Sequence, residues 1–236
     1  GLEPAASSVR LMLVGGEPGT GIINTRNRLQ GLWNAKMAEF YGCTESSPHC
    51  GGYSCPASES DDGTITTHLM EDIQIWELVD ADSKDVIEEG QRGLTVCTNL
   101  NSESSPQLRF LVGDYTTYTT ARCDCGRTHV RAVGSFSGRA DDLINLRGIK
   151  MYPVQVEEAV RSIADIGDEY EIVLTTDASE LDIMTVRVEH VEDVAEAVQQ
   201  SIRTRCEIRA VVEVLSPGTL PKTEFKAKRV RDERNK

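Results

Sequence analysis

The stretch GRADDLINLRGIKMYPVQVEE, residues 138–158, divides the chain in two. Its glycine-led, polar opening GRADD (138–142) reads as a hinge, and beyond it short β-rich runs give way to alternating helices and strands. Pro153 stands at a first helical turn, and Val156, Ala159, Val160 and Ile163 follow on one face, so the spacing predicts a helix over 154–163. EIVLTT (171–176) and IMTVRVEH (183–190) alternate as strands, VEDVAEAVQQSIRTRC (191–206) has helical spacing, and AVVEVL (210–215) is a further strand. Residues 139–236 are therefore expected to form a small α+β domain.

Working back toward the start, residues 1–138 read as an α/β segment, a strand and a helix followed by a small antiparallel sheet. VRLMLV (9–14) is expected to be a buried strand ending in the tight turn GGEPG (15–19), where a ligand can approach backbone. Leu29, Leu32, Trp33, Met37 and Phe40 recur at helical spacing and predict an amphipathic helix over 27–40, leading into YGCTE (41–45). IQIWELV (73–79), GLTVCT (93–98) and QLRFLV (107–112) are short, β-rich and separated by turns, which predicts a small antiparallel sheet or barrel. The chain's 236 residues carry 39% hydrophobic and 27% charged positions, an ordinary globular composition. A net charge of −13 argues against a phosphate-backbone binder, so nucleic acid is not an expected partner. No apolar run reaches membrane-spanning length and no signal peptide opens the chain, making a cytoplasmic protein the expectation.

Taken singly, the chemistry-bearing residues have two readings each. Tyr41, Gly42, Thr44 and Glu45 offer a ring, a flexible turn, a hydroxyl and a carboxylate, suited to a base, a phosphate and a hard cation; the same residues suit a helix cap. Asp114, after LRFLV, suits a ribose diol or a plain turn. Lys226 lies in a cationic tail that is equally a solvated run. Five of the seven cysteines fall in two clusters, Cys43, Cys50 and Cys55, flanking His49 and preceding His68, and Cys123 with Cys125. These read either as thiolate and imidazole ligands of a tetrahedral zinc or as free loop thiols.

The order of the motifs is more specific than any one of them. GGEP, YGCTE, LRFLVGD, GRADDLINLRGIKMYPVQVEE and LPKTEFKAKR resemble, in sequence and spacing, the adenylate-forming enzymes and within them the phenylacetate-CoA ligase group. The resemblance implies the C-terminal part of the large domain, followed by a small mobile domain. It implies an ATP-dependent acid–thiol ligase in which a carboxylate, aryl in this group, attacks the α-phosphate and coenzyme A then displaces AMP. By match, Gly16, Glu17 and Pro18 would line the adenine pocket, and Tyr41 with Gly42 would carry the adenine stack. Thr44 and Glu45 would face the α-phosphate and Mg2+, Asp114 the ribose hydroxyls with Arg139 assisting, and Asp141 would be the hinge.

Lys226 would bridge carboxylate and phosphate during adenylation, although Phe225 replaces the glycine common before this lysine and Lys222 and Lys228 stand nearby. Some members carry a zinc staple, which would here be Cys55, His68, Cys123 and Cys125, with Cys50 or His49 as substitutes; Cys43, Cys97 and Cys206 would then be buried thiols. Four protein ligands leave no open position, so such a zinc would be structural. The Ser/Thr/Gly/Lys phosphate loop that precedes GGEP in the family has no counterpart here, and the chain opens on Gly1. The expected partner is accordingly the N-terminal part of the same enzyme, with homodimerisation through the exposed edge a further expectation. Two rival functions share these residues: an adenylation module that loads a carrier-protein thiol, and a non-catalytic zinc-stapled scaffold.

Overall fold

A computed structural model describes residues 3–16, 21–46, 51–223 and 228–234. The chain divides into two units, Gly1–Asp141 and Asp142–Lys236. The division falls after Asp141 rather than after Gly138, because Arg139 bridges back to Asp114 and pairs with its carboxylate.

The first unit is built on one eight-stranded sheet of order β1-β2-β3-β4-β8-β7-β6-β5. Its strands are β1 (Leu11–Val14), β2 (Lys36–Tyr41), β3 (Gly52–Glu59), β4 (Ile65–Leu69), β5 (Gln74–Val79), β6 (Arg92–Asn99), β7 (Phe110–Thr119) and β8 (Arg131–Val133). β1 and β2 pair in parallel across α1 (Ile23–Trp33), and every later pairing in this sheet is antiparallel. The expected small antiparallel sheet is thus β5 to β7, continuous with the parallel pair. β3, β4 and β8, which lie between them, carry no expectation from the sequence.

Two expectations are corrected. The helix expected over 27–40 stops at Trp33, and Lys36–Tyr41 is a strand. Asn34 takes the left-handed conformation at φ 48°, and its N–H reaches the carbonyls of Gln30 and Gly31, ending the helix about two turns early. Apolar residues at 37 and 40 happen to continue the helical spacing, but β2 is buried at Ala38 and Glu39, through pairing with both neighbours. β1, expected to be buried, exposes Leu11 at 56% and Leu13 at 63%, because it is the edge of the sheet.

The second unit opens with a two-strand hairpin, β9 (Ile144–Leu146) and β10 (Ile149–Met151). Arg147 and Gly148 both take positive φ, 53° and 87°, as a two-residue hairpin turn requires. A four-stranded sheet of order β13-β12-β11-β14 follows, made of β11 (Tyr170–Thr176), β12 (Asp182–Glu189), β13 (Val211–Leu215) and β14 (Val230–Asp232). Helices α2 (Pro153–Arg161) and α3 (Ala195–Cys206) pack their apolar faces with it. Val156, Ala159, Val160, Ile172, Met184, Val186, Val188, Val198 and Ile202 are all fully buried there. At about 1.5–3 kcal/mol per buried aliphatic side chain, this core is what holds the unit together. The helices and strands expected beyond residue 150 are all present, with ends shifted by a few residues. Among the described residues no helix is long and apolar enough to cross a membrane.

Candidate functional site

The two glycine-containing turns are neighbours because their strands are. Val14 of β1 stands opposite Glu39 of β2, so GG (15–16) and Tyr41-Gly42 leave the same end of a parallel pair. That carboxyl end is where open α/β sheets bind ligands. Gly15 approaches β2 so closely that a Cβ there would overlap the Phe40 carbonyl and ring. Gly16 has a φ of +89°.

Tyr41 donates its hydroxyl to Asp114 Oδ2 at 2.7 Å, joining β2 to β7. Arg139 Nη1 donates to Asp114 Oδ1 at 3.0 Å, while Nε and Nη2 grip Asp141 Oδ1 and Oδ2 at 2.8 and 3.2 Å. Thr95 holds the Asp114 carbonyl at 2.6 Å from β6. A fork of this kind fixes the plane of each carboxylate as well as its distance. Burial and then the Asp114 charge push the Tyr41 phenol well above its ordinary range, so it stays a donor at neutral pH. On the other side, the Phe136 ring stacks on Tyr41, with centroids 3.3 Å apart and planes within 10°, and Trp76 lies tilted at 6.1 Å.

Thr44 and Glu45 follow on an exposed turn. The turn is tied down from beneath: Gln74 Nε2 donates to the Ser46 carbonyl at 2.6 Å, and Asn99 Nδ2 to the Glu45 carbonyl at 3.3 Å. Tyr41, Asp114, Arg139 and Asp141 are therefore brought together, with Gly16 at the adjoining strand end. Glu17, Pro18, His49, Cys50 and Lys226 lie outside the described residues. Phe136 and Gln74 were missed by sequence reading; the flanking glycines of GSFSG (134–138) are the signal that could have drawn attention to the first.

A second constellation lies in the same unit. Sγ of Cys55, Cys123 and Cys125 and a ring nitrogen of His68 all fall within 4.8 Å of one another. Cys55 Sγ is 3.7 Å from Cys123 Sγ and 3.5 Å from His68 Nε2, and Cys125 Sγ is 3.4 Å from that nitrogen. A tetrahedron with zinc–sulfur bonds of about 2.3 Å has edges of about 3.7 Å, so these separations fit one zinc ion among four donors. The four side chains come from β3, β4 and the β7–β8 loop, where Gly126 at φ +82° donates its N–H to the Cys123 carbonyl at 2.9 Å.

Burial pushes His68 down to about 4, helped by Arg127, Arg131 and His129, leaving the neutral imidazole a metal needs. Burial and the neighbouring thiols raise Cys55 to about 11, whereas the Arg127 backbone N–H draws Cys125 down to about 7. His129, given no role by the sequence reading, pairs with Asp72 at 3.0 Å, and Glu71 accepts the Val130 N–H at 2.6 Å, binding the same loop to β4's exit. Cys97 and Cys206 are buried as expected, while Cys43 is only half-buried.

Comparison with known proteins bears on the whole chain. Residues 148–234 match the AMP-binding enzyme C-terminal domain family. The phenylacetate-coenzyme A ligase of Thermus thermophilus is 32% identical over 98% of this chain and 56% of its own length. That of Pseudomonas putida is 30% identical over 99% and 53%. A crystal structure of 2-hydroxyisobutyryl-CoA ligase in the postadenylation state, in complex with R3-HIB-AMP, superposes with a TM-score of 0.88 at 29% identity, over 98% of this chain and 50% of that one. Residues 148–234 thus belong to the AMP-binding enzyme C-terminal domain family, and the chain as a whole is similar to the later part of the phenylacetate-coenzyme A ligases and shares the fold of adenylate-forming enzymes. It spans about half the length of the curated relatives it matches.

Proposed function

We propose that the full-length protein containing this chain is an ATP-dependent acid–coenzyme A ligase. One carboxylate oxygen of the acid attacks the α-phosphorus of ATP, the bond to the β-phosphate oxygen breaks, and pyrophosphate leaves. The thiolate of coenzyme A then attacks the acyl carbon, and AMP leaves with the electrons of the acyl–oxygen bond. The supporting observation is the Tyr41–Asp114–Arg139 chain at the carboxyl end of the β1–β2 pair: a fixed carboxylate beside a half-buried aromatic ring suits a ribose and its base. The relatives named above, including one bound to an acyl-AMP, support the same reading.

In this reading Asp114 and Arg139 hold the ribose hydroxyls, Tyr41 and Gly42 the adenine, and Gly16, Glu17 and Pro18 the edge of its pocket. Thr44 would hydrogen-bond the α-phosphate and Glu45 would hold Mg2+, which when bound would supply positive charge against the negative charge developing on the phosphoryl oxygens. Lys226 brings a cation to the attacking carboxylate, and Asp141 marks the turning point between adenylation and thioester formation. Cys55, His68, Cys123 and Cys125 hold a structural Zn2+. The acid is a small aryl acid such as phenylacetate.

The test is pyrophosphate release by the full-length protein with phenylacetate, ATP and Mg2+, followed by coenzyme A or a phosphopantetheine carrier protein as acceptor. Acid-dependent pyrophosphate release with thioester formed on free coenzyme A is expected. Transfer to the carrier alone would make it a loading module instead, and no acid-dependent release would leave the scaffold reading.

A further inference from the structure

Glu39 is the least expected residue of β2: a carboxyl group 4% exposed, in the middle of a sheet. Such burial is costly unless hydroxyls or cations replace water. Thr67 of β4 donates its hydroxyl to Oε2 at 2.5 Å, Ser135 donates to Oε1, and the Glu39 backbone N–H reaches Ser54 Oγ of β3 at 2.7 Å. The side chain thus ties β2 to β4 and to the segment beyond β8, while the backbone N–H of the same residue adds β3.

Ser135 is the informative partner. It is 1% exposed and holds a left-handed φ of 62°, a conformation that costs a non-glycine residue energy and persists only where contacts over-determine it. Two contacts do so: Glu39 on the hydroxyl, and Thr116 Oγ1 of β7 donating to the carbonyl at 2.7 Å. Phe136, the next residue, lies flat on Tyr41. Ser137 N–H then bonds the Tyr115 carbonyl at 2.8 Å, Tyr115 N–H the Gly138 carbonyl at 2.9 Å, and Arg139 reaches Asp114. Residues 135–139 are laid along β7 in a single register whose starting point is set by Glu39.

We propose that Glu39 is a positioning residue for the nucleotide: through Ser135 it sets where Phe136 meets Tyr41 and where Arg139 meets Asp114. The inference rests on the nucleotide reading of those residues given above. A carboxyl group suits the task because its two oxygens accept from elements on opposite sides, Thr67 and Ser135, which an alkyl side chain of the same volume cannot do.

The experiment uses the full-length protein with four variants: Glu39→Ala, Glu39→Gln, Ser135→Ala and the double variant Glu39→Ala with Ser135→Ala. In steady-state pyrophosphate release, Glu39→Ala and Ser135→Ala each raise KM for ATP about tenfold, with KM for the acid unchanged, because only nucleotide contacts are displaced. Glu39→Gln, which keeps one acceptor and offers a donor the hydroxyl can accept, restores most of the loss. The double variant is no worse than the worse single one, as for residues acting through one contact. If Glu39→Ala does not fold, Ser135→Ala decides alone. An unchanged KM for ATP in folded Ser135→Ala, or equal rises in both KM values, overturns the proposal. Calorimetric titration of the wild-type protein with AMP separates the two levels: failure to bind AMP there sinks the nucleotide reading itself, whereas binding that these variants leave unaltered sinks only the role of Glu39.

Discussion

A single methyl group tests how the two strand ends are held. Gly15 tolerates no Cβ because the Phe40 carbonyl and ring already occupy that space. Gly15→Ala is expected to lower stability by about 1–3 kcal/mol through overpacking, read as a reduced urea midpoint with an unchanged m-value. Gly16, whose Cβ would meet nothing within 4 Å, is limited instead by its φ of +89°. Adjacent glycines are therefore present for different reasons, one for space and one for backbone conformation. The sequence marks a turn at GGEP, and only the packing of β1 on β2 separates those two causes. Much the same holds for Tyr41: the ring was legible as a stacking surface, but its partners Phe136 and Asp114, 95 and 73 positions further along, are chosen by the sheet order.

At the scale of elements, the tail beyond β13 shows how one carboxylate organises a connection. Glu169, just before β11, accepts the Thr223 N–H and hydroxyl at 3.0 Å each and pairs with Arg229, so it holds Thr223 and Arg229 at one point. Although burial pushes its carboxyl up, the Thr223 N–H, Arg229 and the Thr223 hydroxyl outweigh it and leave Glu169 below its ordinary value. A carboxyl depressed in the native state contributes stability above its unfolded value of about 4.3 and loses it as pH falls through the native one. Glu169→Gln is therefore expected to cost about 1.5–3 kcal/mol at pH 7, the range for hydrogen bonds to a charged group. The difference in urea midpoint between wild type and Glu169→Gln shrinks as the pH is taken below about 4. A pH-independent difference would mean that shape, not charge, is what Glu169 supplies. The misread helix over 27–40 belongs to the same scale. Its apolar spacing satisfied two periods at once, and the left-handed Asn34 with pairing to β1 and β3 chose the strand.

For the whole molecule, the Cys55–His68–Cys123–Cys125 set gives a test that treats the two units differently. All four side chains belong to Gly1–Asp141, whereas Asp142–Lys236 has its own core of aliphatic side chains. Elemental analysis is expected to find one zinc per chain. Chelation should lower the melting temperature and raise exchange of the amides of β3, β4 and the β7–β8 loop, with those of α2, α3 and β11–β13 unchanged. Protein free of metal and indifferent to chelator would dismiss the staple.

Both helices and three of the strands of the small α+β unit were legible, since they follow local periodicity and are bounded by Pro153 and by polar turns, whereas the β9–β10 hairpin and β14 were not. The motif order, from GGEP to LPKTEFKAKR, likewise needed nothing beyond the sequence to indicate the family. What only the tertiary structure decided is which distant residues meet. β3 and β4 lack a clean alternation, and His129 and Glu39 carry no local signal. Ser135 adopts its φ of 62° only because Glu39 and Thr116 grip it from two strands. Local periodicity is set by neighbours in the chain, and the sequence carries it; partnership across an eight-stranded sheet is set by strand order, which no short window of sequence contains.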